Sequence, residues 1–292
     1  MRIVDCGVRI EEHPALNPQS EIRIPQLSPN VGRGYLHKMN SELLQLAIDA
    51  AKAAEPVIMQ YYGPNVAHEL KSDGSPVTPA DRAAEEIIRK TISARFPDHA
   101  FLGEEFGTSG SSDHVWIIDP IDGTKNFMTG IPIFGTQIAL MRNGELVLGV
   151  SNCPALGEFC YGEKRRGAFL NGKPIQVSTV AQLADSRVSM SGQNHFQKVG
   201  REEGMLRLIH GSTRVRGFGD CWAYHLIASG RFEANVEPQI KIWDIAAAAA
   251  IVEAAGGRAT DINGGPVTTE IRTFIASNGL VHDEIVQLLK PQ

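Results

Sequence analysis

The sequence is poor in cysteine, has no long apolar run and carries no excess of positive charge. Its four cysteines, Cys6, Cys153, Cys160 and Cys221, form no C-x-x-C pair and none of the zinc-finger spacings. A disulfide framework and a structural zinc site are thereby excluded as sources of stability, and reduced thiols in a cytoplasmic protein are expected. The nine histidines include no H-x-x-x-H pair. Even "DIAAAAAIVEAAGG" falls short of the roughly 18–20 apolar residues that a bilayer span needs, and the N-terminus lacks the continuous apolar core of a secretory signal. Twenty-eight Lys and Arg against thirty-three Asp and Glu give a formal charge of −5, which argues against nucleic-acid and membrane-surface partners, both of which favour basic faces.

With 292 residues and 42% apolar composition, the chain can bury one large core or two fused ones. Residues 1–38 mix prolines with scattered charges and show no sustained period, so an extended, flexible arm is expected there. From Ser41 to Tyr62, apolar residues at Leu43, Leu44, Ala47, Ile48 and Ala51 form the stripe of an amphipathic helix, with Pro56 a point of kinking. Thr78, Pro79 and Asp81 predict the start of a second helix: an N-cap, a first-turn proline and an acid three residues after the cap. Strand-like runs follow at "HVWIID", "IFGTQIAL" and "ELVLGVSN", the last two joined by the hairpin signal Asn143-Gly144. The N-terminal half, residues 39–180, reads as α+β. Residues 181–292 alternate strands and helices, including "SRVSMSG", "GDCWAYHLIASG", "FEANVEP" and an alanine-rich helix from Asp244, as in an α/β sandwich.

The segment "HVWIIDPIDGTKNF" (114–127) places Asp119 and Asp122 three apart across Pro120. Pro120 prevents the strand from continuing as a regular ladder, so Asp122 can return beside Asp119. Two carboxylates forced together need a cation, and hard oxygen ligands with a nearby phosphate suit Mg²⁺. If Gly123 and Thr124 open a helix, their backbone N–H groups make an anion site. The same D-P-x-D-G pattern is also ordinary turn chemistry. Further acids favour the metal reading: Glu104 and Glu105 in "FLGEEFG", and Asp244 in "KIWDIAAAA". Solvated loop charges and a helix cap are the plainer roles open to these.

"FLGEE", "WIIDPIDGTKNF" and "WDIAAAA", in this order and spacing, resemble the inositol monophosphatase superfamily of Mg²⁺-dependent phosphatases, over about residues 41–278. The resemblance implies a layered sandwich of alternating α-β-α-β-α layers, a homodimer and up to three Mg²⁺ ions. It implies that Glu104, Asp119 and the carbonyl of Ile121 hold one ion, that Asp119, Asp122 and Asp244 hold a second, and that Glu104 with waters holds a third. It pairs Thr124 with Asp81 to orient and deprotonate the attacking water, while the capping role of Asp81 stays open beside this one. It also matches Lys71 to a loop lysine near the third ion, where an exposed lysine is the alternative.

Substrate choice has to come from elsewhere in the chain. Glu237 stands where the family carries a glutamate that contacts substrate hydroxyls. Asp220 stands where inositol phosphatases have a small apolar residue. A buried acid without a partner is costly, so a cationic substrate is the economical reading, and "GDCWAY" with "KSDGSPVTPADRAAEEIIR" resembles the histidinol-phosphate phosphatase branch. Asp220 as the N-cap of the following helix is the alternative. Trp222 and Tyr224 read as core aromatics, and Arg214 and Arg216 remain unassigned between phosphate and another subunit. The expected function is release of phosphate from L-histidinol phosphate. An inositol or broad sugar-phosphate phosphatase and a non-catalytic phosphate-ligand-binding regulator are the rivals.

Overall fold

The computed structural model describes residues 40–64 and 66–291; the arm expected over residues 1–38 lies outside them. The first helix, α1 (Glu42–Tyr61), is capped by Ser41, whose side chain accepts from the Leu44 amide, and it continues through Pro56. A short ribbon, β1 (Glu69–Leu70) with β2 (Pro76–Val77), leads to α2 (Pro79–Ser93). Thr78 and Asp81 close a reciprocal capping box at its start, with Pro79 in the first turn, as the three residues predict.

An eight-stranded sheet is built from β3 (Ala100–Gly103), β4 (Gly107–Ser109), β5 (His114–Asp122), β6 (Gly135–Arg142), β7 (Glu145–Cys153), β8 (Glu158–Glu163), β9 (Gly167–Leu170) and β10 (Lys173–Ile175). Their spatial order is β10-β9-β8-β7-β6-β5-β3-β4. At the β6–β7 turn Arg142 pairs with Glu145, and Asn143 (φ 52°) with Gly144 (φ 78°) takes the left-handed conformation that a two-residue hairpin requires. The short helix α3 (Thr124–Thr129) lies between β5 and β6.

The second sheet contains β11 (Arg187–Met190), β12 (Arg214–Arg216), β13 (Ala234–Glu237), β14 (Arg258–Thr260) and β15 (Phe274–Ser277) in the order β12-β11-β13-β15-β14. Five helices accompany it: α4 (Gln193–Lys198), α5 (Glu202–Gly211), α6 (Asp220–Ala228), α7 (Ile242–Ala254) and α8 (His282–Leu289). The sequence reading places no helix at α4, α5 or α8. It starts α7 at Asp244, whereas the helix begins two residues earlier and puts Asp244 in its first turn.

Three apolar clusters define the layers. Helices α1 and α2 bury Leu44, Ile48, Ile58, Ile88 and Ile92 against Trp116, Ile118, Ile138 and Val150 of the large sheet. The opposite face of that sheet meets α6 and α7, which also pack against Phe274 and Ala276 of the second sheet. The outer face of the second sheet is covered by α4, α5 and α8 through Phe196, Met205, Leu208, Ile285 and Leu289. The result is the expected α-β-α-β-α sandwich. Helix α7 fits between two sheets because its alanines present little bulk. At Gly149 of β7, an added Cβ would lie only 2.3 Å from the Ala247 carbonyl oxygen, so this close approach requires glycine.

Candidate metal and phosphate site

Strand β5 does not stop at Asp119 as the sequence reading expects; it runs through Pro120 to Asp122. Asp119 pairs with Gln137 and Asp122 with Gly135, so three steps on β5 oppose two on β6. Residues three apart in a regular strand face opposite sides of the sheet. The extra residue of this bulge returns Asp122 to the side of Asp119, and bulges re-aim side chains in this way. The Pro120 carbonyl is taken by the Thr136 hydroxyl at 2.9 Å, and Asp119 Oδ1 accepts the Ile121 amide at 3.0 Å.

Asp244 completes the group from the first turn of α7. It accepts the Lys241 amide at 2.7 Å and brings an oxygen within 4.8 Å of oxygens from both Asp119 and Asp122. Its capping role and its place in the acid cluster therefore coexist. Burial, then the charges of Glu104, Asp122 and Asp244, hold the Asp119 carboxyl well above the usual carboxylate range. Burial likewise raises Asp122, with Cys221 and Asp220 adding to it, and pushes Asp244 up to about 7. Asp122 Oδ2 is buried with no hydrogen-bond partner. Acids packed this closely, with no ion pair among the described residues, form a donor set suited to a hard divalent cation.

Glu104 and Glu105 follow β3 and share one lysine: Lys71 Nζ lies 2.8 Å from Glu104 and 2.6 Å from Glu105. Burial alone would depress Lys71, but the two carboxylates outweigh it and raise the ammonium above its ordinary value. Lys71 is thus half-buried in an ion pair at the rim of the acid cluster rather than a free surface lysine.

Gly123 adopts a left-handed conformation (φ 84°) as the N-cap residue of α3. An added Cβ would lie 2.9 Å from the Ile133 carbonyl and 3.3 Å from the Asp220 carboxylate, so only glycine fits. The Thr124 hydroxyl donates to the Ile121 carbonyl at 3.0 Å and lies 3.5 Å from Asp81 Oδ1. Asp81 uses its other oxygen, Oδ2, on the Thr78 amide and hydroxyl at 2.7 and 2.6 Å. One oxygen caps α2 while the other faces Thr124, so both roles left open by the sequence are available together. Burial pushes Asp81 up to about 6.

Asp220 is the first residue of α6 but does not cap it: the cap position is Gly219 and no side chain fills it. The capping alternative is therefore overturned. Asp220 Oδ2 instead accepts from Asn126 at 2.7 Å, and burial, opposed by Lys125, pushes its carboxyl up to about 6. Glu237 ends β13, is buried and accepts from Asn235 at 3.2 Å; burial pushes it up to about 7, with Asp220 and Asp244 adding to the rise. Tyr224 is core, against Phe274, and Trp222 packs edge-on to Phe218. Arg214 and Arg216 lie exposed on the edge strand β12.

Two residues of the motif escaped sequence reading although they follow Thr124 directly. Lys125 lines a cavity of about 1090 Å³ together with Glu104, His195, Lys198, Lys241 and Asp244. Asn126 reaches Asp220 across ninety-four positions of sequence. Their local signal is weak, since a lysine and an asparagine after a turn are usually solvated. The three described cysteines are free, with Cys153 and Cys221 in contact at 3.1 Å behind Gly135. No helix among the described residues is long and apolar enough to cross a membrane.

Comparison with known proteins agrees with this geometry. The model of the inositol monophosphatase family matches residues 39–291. A histidinol-phosphatase of Chlorobaculum parvum is 40% identical over 83% of this chain and 95% of its own length; one from Mycobacterium tuberculosis is 37% identical over 86% and 99%. A fructose-1,6-bisphosphatase/inositol-1-monophosphatase of Thermotoga maritima is 39% identical over 73% of this chain and 82% of its own. Among solved structures, an IMPase of Thermotoga maritima superposes with a TM-score of 0.78 at 36% identity, covering 85% of this chain and 97% of that one. A sandwich of this layering, an acid cluster at a bulged strand and a match over nearly the whole described chain converge, and the chain belongs to the inositol monophosphatase family.

Proposed function

We propose that the protein is a Mg²⁺-dependent phosphoric monoester hydrolase that releases phosphate from L-histidinol phosphate. The observation that carries the reading is the uncompensated group Asp119, Asp122 and Asp244 beside the start of α3 at Gly123 and Thr124. Glu104, Asp119, Asp122, Asp244 and the Ile121 carbonyl would hold up to three Mg²⁺ ions. Bound there, the ions would offset the charge of the phosphate dianion and lower the pKa of water.

The amides of Gly123 and Thr124 precede the first intrahelical bond and face phosphate oxygens. Asp81 and Thr124 act on the attacking water: the Thr124 hydroxyl turns from the Ile121 carbonyl toward Asp81, accepts the water's proton and passes its own to Asp81. A carboxylate at about 6 is ionised at neutral pH and close enough to it to serve as a base. Water oxygen bonds to phosphorus as the bond to the alcohol oxygen breaks, the departing alkoxide takes a proton from a solvent water, and Asp81 returns its proton to solvent, so that histidinol and inorganic phosphate leave. No side-chain nucleophile is needed, since phosphoryl transfer of this kind rests on positioning and charge stabilisation.

Substrate choice rests on Asp220. A half-buried carboxylate near Glu237 and the phosphate turn gains most from a cationic partner, and the ammonium of histidinol phosphate supplies one. The relatives named histidinol-phosphatase, at 37–40% identity, support this assignment. Relatives of 33–39% identity named for inositol monophosphate and fructose 1,6-bisphosphate support the second reading, in which Glu237 takes sugar hydroxyls. Phosphate release from histidinol phosphate, myo-inositol 1-phosphate and fructose 1,6-bisphosphate separates the two. The expected result is a clear preference for histidinol phosphate that Asp220→Ala removes; a preference for inositol phosphate would overturn the substrate assignment.

A further inference from the structure

The Asn126 side chain joins the phosphate turn to Asp220. Its amide nitrogen donates to the Ile133 carbonyl at 2.9 Å and to Asp220 Oδ2 at 2.7 Å. The Ile133 carbonyl can only accept, so the amide is oriented with its NH₂ toward both partners and each N–H is used once. Asp220 is held in the left-handed backbone region (φ 45°), an uncommon conformation that aspartate tolerates better than most residues. Its carboxylate lies against Gly123, where a side chain would meet it at 3.3 Å. Asp220 Oδ1 takes no hydrogen bond among the described residues. One oxygen is thus tied to the phosphate turn and the other is left for a ligand.

We propose that Asn126 is a positioning residue for substrate choice: it aims the free oxygen of Asp220 at the ammonium of the substrate and fixes its distance from the bound phosphate. The proposal rests on the histidinol-phosphate reading. An amino alcohol phosphate carries its ammonium at a set distance from phosphorus, so an enzyme that reads both must hold the two sites in register. The Asn126 bridge does this with one side chain on α3. Lys125, the next residue back, is the cation that acts on Asp220, and an ammonium bound at Asp220 shares the carboxylate with it.

The test compares L-histidinol phosphate with glycerol 2-phosphate, which has no nitrogen, using the full chain with Mg²⁺. Asn126→Ala is expected to lower the ratio of kcat/KM values for the two substrates by about tenfold, chiefly through KM for histidinol phosphate, as loss of one hydrogen bond to a charged group implies. Asn126→Asp keeps the shape of the side chain but sets a second carboxylate against Asp220, and it is expected to lower the ratio at least as far. This variant decides the matter where the alanine protein melts early. In the Asp220→Ala background, removing Asn126 is expected to produce no further fall in the ratio. Equal losses on both substrates, or additive losses in the double variant, would show that Asn126 only braces the phosphate turn. An Asp220→Ala enzyme that keeps its preference would overturn the histidinol-phosphate reading itself.

Discussion

Two sets of buried and half-buried acids in this molecule are treated in opposite ways. On β8, Glu158 faces Arg231 with both oxygens, at 2.7 and 2.9 Å, and His225 at 3.2 Å. Burial would raise its carboxyl, but His225 and Arg231 outweigh burial and bring it down to about 2. Glu233, which precedes β13, is fully buried and accepts the Arg187 amide at 2.6 Å and its guanidinium at 2.8 and 3.2 Å; it too ends below the ordinary range. Among the described residues Asp119, Asp122 and Asp244 form no ion pair, the charge of Lys241 only partly offsets the rise of Asp244, and all three sit above that range. A fold that needs a buried carboxylate for its own structure supplies the positive charge from its own chain. Where that charge is absent, the carboxylates are available to a cation from outside the chain.

Exchanging roles across this contrast gives the largest effects. Asp119→Asn is expected to reduce phosphate release by about a thousandfold or more with Mg²⁺ present, as loss of a central electrostatic element does. The same change removes one of several repelling charges, so the metal-free variant is expected to melt no lower than the parent. Full turnover in Asp119→Asn would sink the metal assignment. Glu233→Ala is expected to show the reverse: about 2–3 kcal/mol less stable, since the Arg187 donors lose an ionised acceptor, with kcat/KM within about twofold of the parent. Denaturant melts and a phosphate-release assay on the two proteins distinguish the sets, and a Glu233→Ala protein as stable as the parent would erase the contrast.

The legibility of the sequence follows the reach of each interaction. Thr78 with Asp81, and Asn143 with Gly144, could be read because all their partners lie within four residues. Asp119 and Asp122 could be read as a pair, but their convergence depends on a bulge against β6, which no local pattern encodes. The Asn126–Asp220 bond joins distant elements and left no trace beyond an unusual acid at position 220. Helices α4, α5 and α8 offered no capping signal, since none of the three begins on a side chain that caps it, whereas at α6 Asp220 looked like a cap although it is not one. The layers were legible from the alternation of elements together with family resemblance. The order of strands in each sheet was not, because strand pairing is set across the whole chain.

The smallest expected effect is on stability against pH, and it sharpens the comparison because the two sets respond in different windows. Glu158, lowered from 4.5 to about 2, stabilises the fold fully above about pH 4.5 and loses that contribution only as pH falls toward 2. Asp244 and Glu237, raised to about 7, keep protons in the folded state that the unfolded chain has already released. Folding is therefore disfavoured as pH rises from about 4.5 to 7, at about 1.4 kcal/mol per pH unit for each proton retained, and the loss levels off above 7. Buried histidines oppose this at lower pH, since His282 is held down to about 4, and they are neutral in both states only above about pH 7.5. Between pH 6.5 and 8.5 the metal-free protein is expected to lose about 1 kcal/mol, or roughly 2–4 °C in Tm for a chain of this size. Mg²⁺ at about a hundred times its Kd is expected to restore about 2.7 kcal/mol at pH 8.5 and distinctly less at pH 6.5, where protons compete for the same oxygens. Thermal melts at the two pH values, with Mg²⁺ and with chelator, measure all four states. A metal-free protein equally stable at both would mean that the acid cluster is compensated within the chain, as Glu158 and Glu233 are.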